Sequence, residues 1–215
     1  MKRKNLIARK KVKNNFLVNN PKILNFYTKF KSIIFKNIGK KSLALAVSGG
    51  PDSLSLAFFT KIYASEFGNK IHVLIVDHNL RKESHKEALK VKNILGKKEI
   101  ASKILTWKGK IPTSNIQKNA RDMRYALLSN YCLKNKVKYL VTAHHEDDQI
   151  ENFFIRLLRG SGLSGLSSMS VKAKYDNNLK IIRPLLSLKK KDLKYVALNF
   201  FKTYINDPSN NNEKF

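Results

Sequence analysis

Four short stretches of this chain collect residue types suited to chemistry on phosphate esters. The first, Ser48-Gly49-Gly50-Pro51-Asp52-Ser53, lies between an apolar run, Leu43 to Val47, and an apolar-periodic segment, Leu54 to Tyr63. That order predicts a strand, a tight turn and a helix, with backbone N–H groups and a helix N-terminus converging on an anion. Gly49 and Gly50 let the backbone approach the anion closely, and Ser48 and Ser53 add hydroxyls. A bare phosphate would repel Asp52, so the carboxylate implies a bound divalent cation. No Lys follows the glycines, which excludes the GxxxxGKS/T phosphate loop.

The second stretch is Val76-Asp77-His78-Asn79-Leu80-Arg81. Asp77 and Asn79 can accept hydrogen bonds from a ribose or an adenine edge, and Arg81 can reach phosphate; the plainer role for Asp77 is to cap the next helix. In the third, Asn119-Ala120-Arg121-Asp122-Met123-Arg124-Tyr125, Arg121 and Arg124 are three apart and share one helix face. Paired guanidiniums suit bidentate capture of phosphate or of a developing oxyanion; the alternative is a solvated basic face paired to Asp122. The fourth, His144-His145-Glu146-Asp147-Asp148-Gln149-Ile150-Glu151, places two histidines and four carboxylates in eight positions. Four acids at a helix start repel one another more than the helix dipole offsets. A divalent metal or an arginine pair would relieve that repulsion, and His with Asp can also move protons. Asp147 is expected as the N-cap of the helix that follows. Zinc fits poorly, since the ligands lack the usual separation and no CxxC is present.

Something must hold these groups together, and the apolar pattern says what. A helix opened by Pro21 is followed by strand Leu43–Val47, helix Leu54–Glu66 and strand Ile71–Val76. A helix over Ser84–Lys97, a strand near Ile100–Leu105, a helix from Asn115 to Leu133 and strand Lys138–Val141 continue the alternation. The last helix, Lys189–Phe201, follows an Ile181-Ile182-Arg183-Pro184 strand end. Short apolar strands separated by helices predict a Rossmann-like α/β fold, a parallel sheet with helices on both faces. Ligands of such sheets bind beyond the carboxyl ends of the strands, where these motifs begin. Residues 1–20 read as a basic flexible extension and 21–215 as one domain, with 171–215 a candidate linker or second region.

The chain has 43 Lys and Arg against 15 Asp and Glu, a net charge of +28 over 215 residues. Residues 1–51 contain thirteen basic residues and no acid, while seven of the 15 acids fall in or beside the four motifs. That excess points to a polyanion or an anionic membrane surface, with the codon bias of an AT-rich genome supplying part of the Lys count. A hydrophobic content of 42% supports a buried core. The single cysteine, Cys132, excludes internal disulfides and paired-cysteine redox sites. No apolar run is long enough to span a membrane.

SGGPDS, VDHNLR, ARDMRY, HHEDDQIEN, RLLRGSGLSGL, IIRPLL and NDPSN follow one another from about Leu43 to Asn210. In content and order they resemble the tRNA(Ile)-lysidine synthetases, a branch of the PP-loop ATP pyrophosphatases. The resemblance implies ATP and Mg²⁺ as cofactors, with free L-lysine and the isoleucine tRNA carrying a CAU anticodon as substrates. In that family ATP adenylates the C2 oxygen of the wobble cytidine, and the lysine ε-amine then displaces AMP. Carried over, Ser48, Gly49, Gly50, Pro51, Asp52, Ser53 and Asp77 bind ATP, Asp52 and Asp148 hold Mg²⁺, and Asp52, Arg124, His144 and Asp148 are catalytic. Arg121, Asp147, Glu151, Arg156 and Arg159 are candidates for tRNA or substrate contacts.

The sequence departs from the family at Asn152, where Thr is usual, and it stops at Phe215, where larger members continue into C-terminal tRNA-gripping domains. The alternatives are another PP-loop tRNA-modifying enzyme, or a truncated inactive relic that binds nucleotide and RNA. A homodimer and a setting in bacterial cytoplasm, or in the stroma or matrix of an organelle, complete the expectations.

Overall fold

A computed structural model describes residues 16–80, 83–109, 114–160, 162, 168–176 and 178–206. Chain order is α1 (Pro21–Asn37), β1 (Leu43–Ala46), α2 (Pro51–Phe67), β2 (Ile71–Asp77), α3 (Ser84–Gly96), β3 (Ser102–Thr106), α4 (Ile116–Lys134), β4 (Tyr139–Val141), α5 (Glu146–Leu158), β5 (Lys172–Lys174), β6 (Lys180–Ile182) and α6 (Lys190–Phe201). The six strands form one sheet in the order β3-β2-β1-β4-β6-β5.

All pairings are parallel except β5 with β6. The antiparallel edge strand differs from the wholly parallel expectation. Its residues are Lys172, Ala173 and Lys174, with both lysines exposed, so it has no apolar run to announce it. A tight turn makes the hairpin: Asp176 Oδ1 accepts from Asn178 N at 2.7 Å and Leu179 N at 2.8 Å.

Alternation along the strands decides which helices cover which face. Leu43 and Leu45 of β1, Val73 and Ile75 of β2, Tyr139 and Val141 of β4, and Ile182 of β6 point into one apolar cluster with residues of α1, α2, α3 and α6. Ala44, Leu74, Leu140 and Ile181 point the other way, onto Leu128 and Cys132 of α4. Helices therefore lie on both faces, as expected. Successive units run outward from β1 to β2 to β3, and α4 then crosses the opposite face to place β4 on the other side of β1. That reversal opens a crevice at the carboxyl ends of β1 and β4.

Helix α2 is apolar nearly all round, and ten of its 17 residues are buried, which suits a helix enclosed by others. Phe59, fully buried, lies 5.5 Å ring to ring from both Phe30 and Phe58. Ser55 Oγ donates to Leu193 O at 2.7 Å, which satisfies a hydroxyl at the buried α2–α6 contact.

Leu17 is buried and the Phe16 ring sits 5.5 Å from those of Phe58 and Phe200, so packing starts ahead of Pro21; residues 1–15 are outside the described residues. After residue 171, β6 lies inside the sheet and α6 packs on α2.

Helix α5 behaves differently from the others. None of its residues is buried, and Ile150, Phe153, Phe154, Ile155, Leu157 and Leu158 are all exposed. Among the described residues no helix is long and apolar enough to cross a membrane.

This division of the apolar side chains predicts two opposite outcomes. Phe59→Ala opens a cavity costing about 3–5 kcal/mol, which lowers Tm by roughly 6–20 °C in a domain of this size. Leu158→Ala, at a site 85% exposed, changes stability by less than about 0.5 kcal/mol. Thermal melts of the two variants check the assignment, and equal losses would contradict it.

Candidate active site

The turn between β1 and α2 is built around two residues. Gly49 has φ +93°, and a Cβ there would come within 2.6 Å of Val91 Cγ2 and 3.1 Å of Ile205 Cδ1. Only glycine meets both demands. From the helix side, Ser53 Oγ accepts from Ser48 N at 3.2 Å and Gly49 N at 3.1 Å and donates to Gly50 O at 3.0 Å. Two backbone N–H groups expected to face an anion are thus turned onto Ser53. What remains for a ligand is the start of α2, whose N-cap Gly50 offers no side chain and which has Pro at its first position. Its first-turn N–H groups are open to phosphate.

Beyond this loop lies a cleft of about 350 Å³. Of the sequence candidates, Ser48, Asp52, Ser53, Asp77, Arg121, Arg124, His144 and Asp148 line it, joined by His78, Tyr125 and Thr142. Asp77 is 2% exposed and already engaged. Its Oδ1 accepts from Asn79 N at 2.9 Å, an Asx turn that fits Asn79's φ of +52°, and its Oδ2 lies 3.0 Å from His85 Nδ1. The side chain therefore shapes the loop after β2 and does not cap α3, which begins at Ser84. Arg81 lies outside the described residues.

Arg124 approaches His78, with Nε 3.4 Å and Nη2 3.3 Å from His78 Nε2. Burial and the Arg124 charge hold this imidazole below its usual range against the opposing pull of Asp77. A neutral His78 is what lets Nε2 accept from the guanidinium.

The acid-rich stretch folds differently from its expected arrangement. His145, not Asp147, is the N-cap of α5, and Asp148 is the third helical residue of a reciprocal capping box. Asp148 Oδ2 accepts from His145 N at 2.8 Å, and His145 Nδ1 accepts from Asp148 N at 3.4 Å. With Nδ1 so occupied, the proton of neutral His145 sits on Nε2, which is 3.5 Å from Asp52 Oδ2. His145 therefore links the loop carboxylate to the α5 carboxylate. Asp147 and Glu151 are exposed and, with Arg156 and the C-capping Arg159, stay outside the cleft lining.

Neighbouring histidines face opposite electrostatics. Burial, followed by the charges of Arg183 and Arg121, drives His144 down to about 4 despite Asp148. Burial also opposes a charge on His145, but its bond to Asp52 and the charges of Asp148, Asp52 and Asp147 outweigh that and raise it. The neutral His144 is anchored by Nδ1 at 2.8 Å from Thr142 Oγ1. At neutral pH it is a hydrogen-bonding group and too weak a base to take a proton from an ammonium.

Asp52 Oδ1 is buried and has no hydrogen-bond partner. Among the described residues no group of three or more His, Cys, Asp and Glu forms a protein-only metal site. One orphaned carboxylate oxygen, a second carboxylate nearby and an open phosphate cradle fit Mg²⁺, which takes one or two carboxylates and completes its shell from phosphates and water.

Sheet order, loop and cleft are those of an α/β nucleotide-binding fold of the PP-loop type. The family model for the PP-loop domain matches residues 22–215, and the chain belongs to that family. Among curated proteins, the tRNA(Ile)-lysidine synthase of Orientia tsutsugamushi (strain Boryong) is 48% identical over 174 residues, covering 80% of this chain and 39% of that one. The tRNA(Ile)-lysidine synthase of Rickettsia akari (strain Hartford) is 38% identical over 192 residues, covering 88% and 44%. The chain thus spans about two fifths of the length of these relatives. Among solved structures, the U34-tRNA thiolase NcsA from Methanococcus maripaludis superposes with a TM-score of 0.70 at 19% identity, over 85% of this chain and 67% of that one. At that identity the likeness concerns the fold.

The two histidines give a direct test. In ring-nitrogen NMR titrations of the metal-free protein, His144 stays neutral to about pH 4, and His145 titrates above the ordinary histidine value. The unfolded chain protonates His144 near pH 6.5 while the folded chain does not, so its contribution to stability falls as pH drops through that window. His145 acts oppositely: its contribution is complete below the ordinary value and disappears as pH rises through its raised one. A His144 titrating near 6.5 would contradict the arrangement.

Proposed function

We propose that this chain is the catalytic portion of a tRNA(Ile)-lysidine synthase, joining free lysine to C2 of the wobble cytidine of a CAU-anticodon isoleucine tRNA. The observation that carries the reading is the meeting of two motifs distant in sequence. Buried His145 links Asp52 of the phosphate loop to Asp148 of the HHEDD stretch, and both carboxylates line one cleft. The 48% identity to a protein of that name supports the same choice.

In this reading ATP lies with its phosphates at the start of α2 and its nucleoside toward the apolar wall formed by Ile75, Val76, Ala88 and Val91. Asp52 and Asp148 would hold Mg²⁺, which when bound neutralises phosphate charge. The cytidine C2 oxygen attacks the α-phosphorus, and the α–β bridging oxygen leaves with pyrophosphate. Arg124, braced by His78 and paired on one helix face with Arg121, meets the charge that grows on the α-phosphate. The lysine ε-amine then attacks C2, loses its proton and displaces AMP. Neutral His144 and Asp148, both lining the cleft, orient that amine, whose proton passes to solvent. Exposed Asp147, Glu151 and Arg159, with half-buried Arg156, stay in this proposal as contacts to tRNA or lysine outside the cleft.

The test uses the protein with ATP, Mg²⁺, labelled lysine and a CAU-anticodon isoleucine tRNA, with a CAU methionine tRNA as control. Label enters the isoleucine tRNA alone, and Arg124→Ala lowers the rate by about 10²–10³, the effect of removing one transition-state donor, with tRNA affinity little changed. Incorporation untouched by Arg124→Ala, or equal loss of tRNA binding, would contradict this role. No incorporation into either RNA would overturn the proposed reaction.

A further inference from the structure

Beside the cleft is a constellation that the adenylation chemistry leaves unused. Tyr125 of α4 lines the cleft, and outside it Tyr175 lies against Tyr125 with ring centroids 5.4 Å apart and planes inclined by 21°, a stacked pair. Tyr175 is 42% exposed. The pairing is enforced from elsewhere: Ser129 Oγ of α4 donates to Asp176 Oδ2 at 3.1 Å, fastening the β5–β6 turn to α4 beside the rings.

One guanidinium lies over the stack, and a second is within electrostatic reach of Tyr125. Arg121 lies 5.3 Å from the centroid of the Tyr125 ring. Arg183, at the end of β6, donates through Nη1 to Ser170 O at 2.9 Å and keeps a buried Nε with no partner. Burial depresses Arg183 below its usual range, with the Arg121 charge adding to the effect and Tyr125 opposing it. Among the described residues neither guanidinium is paired with a carboxylate. The hairpin carries exposed Lys172, Lys174 and Lys180 as well.

We propose that Tyr175 and Tyr125, with Arg121 and Arg183, form a platform for one unstacked nucleotide of a single-stranded RNA loop. An aromatic face takes the base and unpaired guanidiniums take its phosphates, the combination by which single-stranded nucleic acid is held. Continuity with the cleft through Tyr125 assigns the platform to a neighbour of the nucleotide that reacts, which presents the latter to the phosphate loop. The inference rests on the RNA-modifying reading above.

The test measures fluorescence anisotropy of a labelled CAU anticodon stem–loop at fixed salt, with a blunt RNA duplex of the same stem as control. Tyr175→Ala weakens stem–loop binding about tenfold, within the range of single base–aromatic stacks, and leaves duplex and ATP binding unchanged. Tyr175→Phe keeps the ring and stays within about twofold of wild type. Arg183→Gln weakens stem–loop binding and lowers the log–log salt slope by about 0.7, the share of one single-strand phosphate. Tyr175→Ala with wild-type affinity, or equal losses in Ala and Phe, would overturn the platform while the RNA reading stands. Failure of the wild-type chain to bind the stem–loop would overturn both.

Discussion

The missing side chain at Gly49 is the constraint on which the site depends. Its backbone lies in the left-handed region, where a Cβ would meet Val91 Cγ2 of α3 at 2.6 Å, closer than real Cβ atoms come, and Ile205 Cδ1 beyond α6 at a tight 3.1 Å. Ile205 N also donates to Gly49 O at 2.9 Å. The phosphate loop is therefore clamped by two elements from distant parts of the chain, and Ser53 secures it from within. This close approach fixes where α2 begins, and with it where an anion can sit and where Asp52 points.

With the loop fixed, the remaining chemistry follows from the order of the strands. Placing β4 beside β1 sets the start of α5 against the start of α2, so His145 lies between Asp52 and Asp148. The α4 arginines line the same cleft as those carboxylates. Carboxylates and guanidiniums thus line one cleft, a space suited to a triphosphate with its cation. Burial disfavours a charge on both histidines, and the field then separates them: His144, toward Arg183 and Arg121, is lowered, whereas His145, among carboxylates, is raised. Adjacent residues of one type end in different roles because each sees different charges.

Much of this was legible in the sequence because its signals were local. Apolar runs with turn residues between them define β1, β2 and β4, and spacing puts Arg121 and Arg124 on one face of α4. The acid cluster marked the right place and the wrong cap. Asp147 has the favoured residue type, but the extended backbone of His145 and its reciprocal bonds with Asp148 make His145 the cap of α5 and leave Asp147 exposed. Strand β5 was invisible because its pairing with β6, not its hydrophobicity, makes it a strand. The contributions of Val91 and Ile205 at the loop, and the stacking of Tyr175 on Tyr125, depend on contacts across the fold. No periodicity encodes them. Arg183 was visible within IIRPLL, yet its place beside His144 follows from β6 pairing with β4.

The measurement that most directly tests this account is product analysis of α-labelled ATP, with and without the CAU-anticodon isoleucine tRNA, at saturating Mg²⁺ and lysine. A phosphate loop that opens at the start of α2 and delivers the α-phosphorus to an RNA oxygen yields AMP, with release of pyrophosphate, only when that tRNA is present. ADP as the product, or AMP formed at the same rate without RNA, would contradict it.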